Sequence, residues 1–253
     1  MPVQELILTL FWCFASGFLA RGITLKLPDQ LEWLDDPDPS NTLFTSWSTE
    51  AGNRHWVFHL PYLGFIRDAF FAKESEPNYR WFFWDILSFV LMIGSVFLSR
   101  SIEMHIALCL LVPALIVISD LDLDHHWIPS VISTPLIWIG LAWSPFVHST
   151  QERIYAAMLG GGLTVAVMMV ISLIMQARSG EEDDYYAGGD VAMIVVMGAW
   201  LGFDALQNAV LASFVFMYVH SKIVRQSWIP LGPSLAAAFV LGIILVNFGV
   251  SLF

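Results

Sequence analysis

Three aspartates and two histidines stand within "ISDLDLDHHWIP", Ile118 to Pro129, directly behind a long apolar run. Another aspartate, Asp190, closes "DDYYAGGD" at the entrance to a second apolar run, "VAMIVVMGAWLGF". Ionisable groups at membrane depth are costly and usually mark a function. Two carboxylates brought together can divide the labour of hydrolysis, because like charges in a partly desolvated site keep one proton between them. The ionised member then deprotonates water while the protonated member donates to a substrate carbonyl, and the shared proton belongs to the pair. Residue types alone leave open which of Asp120, Asp122 and Asp124 would partner Asp190. They also admit a metal reading, in which aspartates with His125 or His126 ligate a hard cation or zinc. Gly188 and Gly189 would let a substrate strand lie close to the backbone just before Asp190. Asp190 is equally suited to capping the helix that follows.

Groups at those positions need elements to hold them, and composition says which. The chain has 253 residues, 57% of them hydrophobic and 13% charged, and its mean hydropathy is +0.68. A soluble domain carries about a quarter charged residues. The apolar residues come in runs near the ~20 residues that cross a bilayer as a helix. The expected fold is therefore an all-α polytopic membrane protein with about eight spans, near 5–23, 82–99, 103–119, 129–145, 155–177, 191–203, 206–220 and 230–252. The sixth is short for a bilayer and must extend, tilt, sit in a thinned region or re-enter. The amino-terminal run has no basic residue before its apolar core and reads as a retained first span rather than a cleaved signal.

Lysine and arginine orient the spans. With the amino terminus outside, Arg21, Lys26, Arg54, Arg67, Lys73, Arg80, Arg178, Lys222 and Arg225 fall inside, leaving Arg100 and Arg153 outside. That bias places 24–81, 120–128, 178–190 and 221–229 on the cytoplasmic side. Three parts follow: a first span at 1–23, a small cytoplasmic insertion at 24–81, and a seven-span domain at 82–253. The insertion is short for an independent core. Its His55 and His59 have ligand spacing on a helix, but neighbouring Trp, Phe and Pro favour an ordinary surface.

Other features read as structure. Cys13 and Cys109 lie in apolar runs, which argues against a disulfide framework or a cysteine zinc site. "AAMLGGGL" offers small residues for close helix approach, and the tryptophans fall mostly near span ends, as interfacial anchors do. With a formal charge of −11, no nucleic-acid partner is expected.

The two acidic stretches resemble motifs of the type IV prepilin peptidases, bacterial relatives of the GxGD intramembrane aspartic proteases. Their first motif has the form D-x6-P, and counting back from Pro129 lands on Asp122, which makes Asp120 and Asp124 its neighbours. The second motif, GxGD followed by LGAW, is similar to "AGGDVAMIVVMGAWLG" and puts the other carboxylate at Asp190. "IPLGPSLA", Ile229 to Ala236, resembles a third family stretch at the start of the last span. "GFLARGITLKLP", Gly17 to Pro28, resembles a fourth, and "RWFFWD", Arg80 to Asp85, matches the charge separation of a fifth. Ala187 and Ala192 stand where the family has glycine and lysine, Ser130 where an aspartate often follows the proline, and Arg21 where the first-span motif has asparagine.

The resemblance implies a membrane aspartic endopeptidase of the bacterial inner membrane, with Asp122 and Asp190 catalytic. It would cut the basic leader from prepilin or pseudopilin precursors at the cytoplasmic face. Gly188, Gly189, Asp124, Pro129, Pro230, Gly232 and Pro233 would border the substrate. No metal or other cofactor is implied, and the absence of any CxxC pair gives no basis for a metal-stabilised N-methyltransferase module. Glu181, Glu182, Asp183 and Asp184 could attract the basic leader. The altered glycine and lysine motivate an alternative, a catalytically inactive membrane scaffold of a pilus or type II secretion-like system.

Overall fold

A computed structural model describes residue 12 and residues 79–179, 188–224 and 230–249. The first span apart from Trp12, nearly all of 24–81 and the acidic loop 181–184 lie outside the described residues, so the expectations placed there are not addressed. The described residues form six helices and no strand. These are α1 (Tyr79–Leu98), α2 (Ile102–His125), α3 (Ser130–Ala142), α4 (Thr150–Ser179), α5 (Gly188–Val224) and α6 (Gly232–Phe248). By length and composition, Ile102–Leu123, Thr150–Arg178 and Gly188–Ile223 could each cross a membrane. Ile86–Leu98, Ser130–Ala142 and Gly232–Phe248 are shorter apolar helices.

The chain divides into two compact units. In the first, which takes residues 1–99 and 108–117, Met92, Val112 and Ile116 form a buried cluster, with Trp12, Phe89, Leu91 and Cys109 packed against it. The Trp12 indole N–H donates to the Cys109 carbonyl at 2.6 Å.

The second unit takes residues 100–107 and 118–253 and contains both acidic stretches. There α5 packs against α3, α4 and α6. Trp200 is fully buried and ties α5 to α3, its indole N–H donating to the Leu136 carbonyl at 2.9 Å. Ser144 in turn donates its hydroxyl to the Trp200 carbonyl at 2.6 Å. Much of α4 is bare: Met158, Leu163, Val167, Met169 and Leu173 are all exposed, a distribution that suits a helix bathed in lipid.

Two helices depart from the apolar runs in ways that matter for the site. The third span, expected to stop at residue 119, continues as α2 through His125. Asp120 and Asp122 are thus inside the helix's last turns rather than in a loop behind it. Charge ended the apolar run, whereas backbone geometry ends the helix. His126 adopts a left-handed conformation (φ 51°, ψ 42°), and its N–H donates to the Asp122 carbonyl. At the other end Ser101 caps α2, its hydroxyl accepting from the Met104 N–H at 3.2 Å.

The expected sixth and seventh spans are consecutive legs of α5, divided at Gly202, whose φ of 74° and ψ of −176° are not helical. The change of direction is sharp. A Cβ on Gly160 of α4 would lie 2.8 Å from the Leu206 side chain and 3.2 Å from that of Ile194. Those two residues would stand about 18 Å apart along a straight helix, and no single point could touch both. The two legs therefore fold towards each other about Gly202.

Candidate active site

Three segments of the second unit meet around Asp122. The first is the end of α2, which carries Asp122 itself, 5% exposed. The second is the start of α6. The Gly232 N–H donates to Asp122 Oδ2 at 2.6 Å, a short, charge-assisted geometry. The approach is so close that a Cβ on Gly232 would lie 2.7 Å from Oδ2 and 3.0 Å from the carboxyl carbon. The third is the start of α5. A Cβ on Gly189 would lie 2.7 Å from the Ile128 Cβ and 3.2 Å from its carbonyl oxygen. The turn between α2 and α3 and the first turn of α5 are thus in backbone contact.

Asp190 follows Gly189 directly, in the first turn of α5, and is half-buried. Asp122 stands near enough for its charge to act on Asp190. Two carboxylates from widely separated stretches of chain therefore share one electrostatic environment, the arrangement that divided acid–base work requires.

The remaining residues singled out in the sequence fall around this pair. Pro129 is fully buried; its extended backbone (φ −71°, ψ 125°) starts α3. Pro230 is buried and Pro233 half-buried, on either side of Leu231 and Gly232 at the entry to α6. Gly188 is exposed at the tip of α5, open to a ligand in a way that Gly189, seated on Ile128, is not. The backbone of Asp124 lies in the last turn of α2; its side chain and that of His125 lie outside the described residues. Among the described residues no three His, Cys, Asp or Glu side chains gather as metal ligands.

Two contacts go beyond what the sequence singles out. Ile128, which no motif singles out, is the surface on which Gly189 rests. Gly232 was expected to border the substrate, and the structure shows its amide bonded to Asp122. No local signal could have revealed either contact, since each joins segments far apart in the chain.

Comparison with known proteins agrees with the motifs. Residues 109–221 match the family model described as the type IV leader peptidase family, and the matched stretch contains both Asp122 and Asp190. The chain is thus related to the type IV leader peptidases, as its motifs indicated. It is 25% identical over 136 residues to a type 4 prepilin-like proteins leader peptide-processing enzyme of Escherichia coli O78:H11, covering 52% of this chain and 48% of the relative. It is 29% identical over 141 residues to a prepilin leader peptidase/N-methyltransferase of Stutzerimonas stutzeri, covering 52% and 47%. A protein of the same description from Xanthomonas campestris pv. campestris aligns over 251 residues at 22% identity, covering 88% of this chain and 85% of that one. The chain spans about half the length of the first two relatives. No solved structure matches it.

Proposed function

We propose that this chain is a bacterial multi-pass inner-membrane aspartic endopeptidase that removes the leader from prepilin-like precursors. The observation that carries the reading is the convergence of α2, α5 and α6 on Asp122, with the Asp190 carboxylate in reach of its charge. Family relatives named as leader peptidases supply the substrate class, and the long apolar helices supply the membrane.

The chemistry follows from the pair. One carboxylate, ionised, takes a proton from water as its oxygen attacks the scissile carbonyl carbon. The other, protonated, donates to the carbonyl oxygen, giving a neutral tetrahedral gem-diol. Collapse breaks the C–N bond as the first carboxyl passes its proton to the leaving amine and the second takes one from a gem-diol hydroxyl, which restores the pair for another water. Preorganisation of the site lowers the barrier by holding these groups where the charge develops. The exposed Gly188 and the open tip of α5 give an extended substrate strand a place to lie beside Asp190. The basic leader would enter from the cytoplasmic face, where the positive-inside bias puts the ends of α2 and α5.

Asp122→Asn and Asp190→Asn should each abolish cleavage of a co-expressed prepilin while leaving membrane insertion intact, read as the leader-length shift on a gel beside wild type. Full cleavage by either variant ends the two-carboxylate account. The alanines at 187 and 192, in place of the family's glycine and lysine, favour a second reading, an inactive scaffold. It would be supported if wild type left the precursor uncut under conditions where a close relative cleaves it.

A further inference from the structure

We infer that the backbone amide of Gly232 is a positioning group for Asp122, fixing which carboxylate oxygen faces the reaction. The inference rests on the reading of Asp122 as a catalytic carboxylate and assigns α6 a part in the site that does not require contact with substrate.

The first N–H groups of a helix have no partner within it. At the head of α6 no side chain caps them, and Pro233 contributes no N–H. The Gly232 N–H is the donor with which the helix opens, and it is spent on Asp122 Oδ2 at 2.6 Å. Only a residue without a Cβ lets the amide come this close, since a methyl group there would lie within 3.0 Å of the Asp122 Oδ2, Cβ and Cγ atoms. With Oδ2 engaged, rotation of the carboxyl group is arrested, and Oδ1 is the oxygen left to meet water and the Asp190 carboxyl. Gly232 touches neither reacting atom; it acts through Asp122.

Replacing Gly232 with glycolic acid by nonsense suppression turns the amide into an ester, removing the N–H without adding an atom. The expected result on a purified prepilin substrate is a kcat lower by roughly ten- to a hundredfold, the weight of a hydrogen bond to a charged group, with KM unchanged. Gly232→Ala should lower kcat by a similar factor or more, because misplacing a reacting group by about 1 Å costs on the order of a hundredfold. A raised KM at unchanged kcat in the ester variant would make Gly232 a substrate contact and overturn the inference, as would wild-type values of both.

A second measurement needs no change at 232. In the wild-type protein in detergent micelles, the Gly232 amide proton should resonate downfield and move upfield in Asp122→Asn; a resonance that stays in place overturns the bond itself. Should Asp122→Asn cleave normally, the catalytic reading falls. Should it be inactive while the ester variant keeps its kcat, only the positioning role falls.

Discussion

His126 holds a left-handed backbone that few residues besides glycine adopt, histidine being among those that tolerate it best, and this turn of the backbone is what stops α2 one turn after Asp122. His126→Gly should therefore stabilise the protein by about 0.5–1 kcal/mol, the left-handed penalty less the entropy of a freer unfolded chain. A thermal melt in detergent would register it, and an unchanged or lower midpoint would assign the histidine another structural task. At this scale the sequence was half legible. Asp120 and Asp122 are both buried, at 4% and 5% exposure, and both precede the same proline. Two residues apart on a helix they point roughly 200° away from each other, so only one can meet the head of α6. Composition has no means of telling which face that is. Motif spacing chose Asp122, and the Gly232 bond agrees with that choice without testing its role.

At the scale of elements, the carboxylates are mounted on stiff supports. Asp190 stands at the tip of the first leg of α5, whose other end is fastened to α3 through Trp200. The bend at Gly202 then carries the chain back. Its backbone lies in a region essentially reserved for glycine, and a Cβ there would sit 2.9 Å from the Val147 side chain and 2.6 Å from Glu152 Oε1. Gly202→Ala should cost about 2–3 kcal/mol. It should lower the unfolding midpoint and weaken cleavage together, whereas a variant as stable as wild type would mean that the bend relaxes. Helix identity was largely legible here, since apolar runs read from the sequence ended at 203 and resumed at 206, within a residue or two of the bend. The ends of the helices were less so. Hydropathy stops at the first charge, while α2 continues until its backbone is turned aside, and that depends on torsion angles rather than on polarity.

For the whole molecule, the ends of α2 and α5 meet through Ile128 and Gly189, and the orientation expected from the positive-inside bias would put both on one side of the bilayer. Single-cysteine variants in a background lacking Cys13 and Cys109 test this. An impermeant maleimide should reach His126→Cys and Gly188→Cys, both exposed positions, from the cytoplasmic side, and His148→Cys from the other. Labelling of the first two from opposite sides would break the site apart. Globally the sequence announced a helical, lipid-compatible chain, because bulk apolarity needs no knowledge of contacts; the meeting of distant segments did need it. The Gly202 bend has one more consequence. The arm from Gly188 to Leu201 reaches only about 21 Å at 1.5 Å per residue, against a hydrocarbon layer of about 30 Å. The polar residues beside the bend, His148, Glu152 and Asp204, moor its far end near water. Protein rather than lipid makes up that shortfall, since α3, α4 and α6 pack around α5 and Met193, Val196, Met197, Ala199 and Trp200 of this arm are buried; the short arm is an inner strut sheltered by its neighbours.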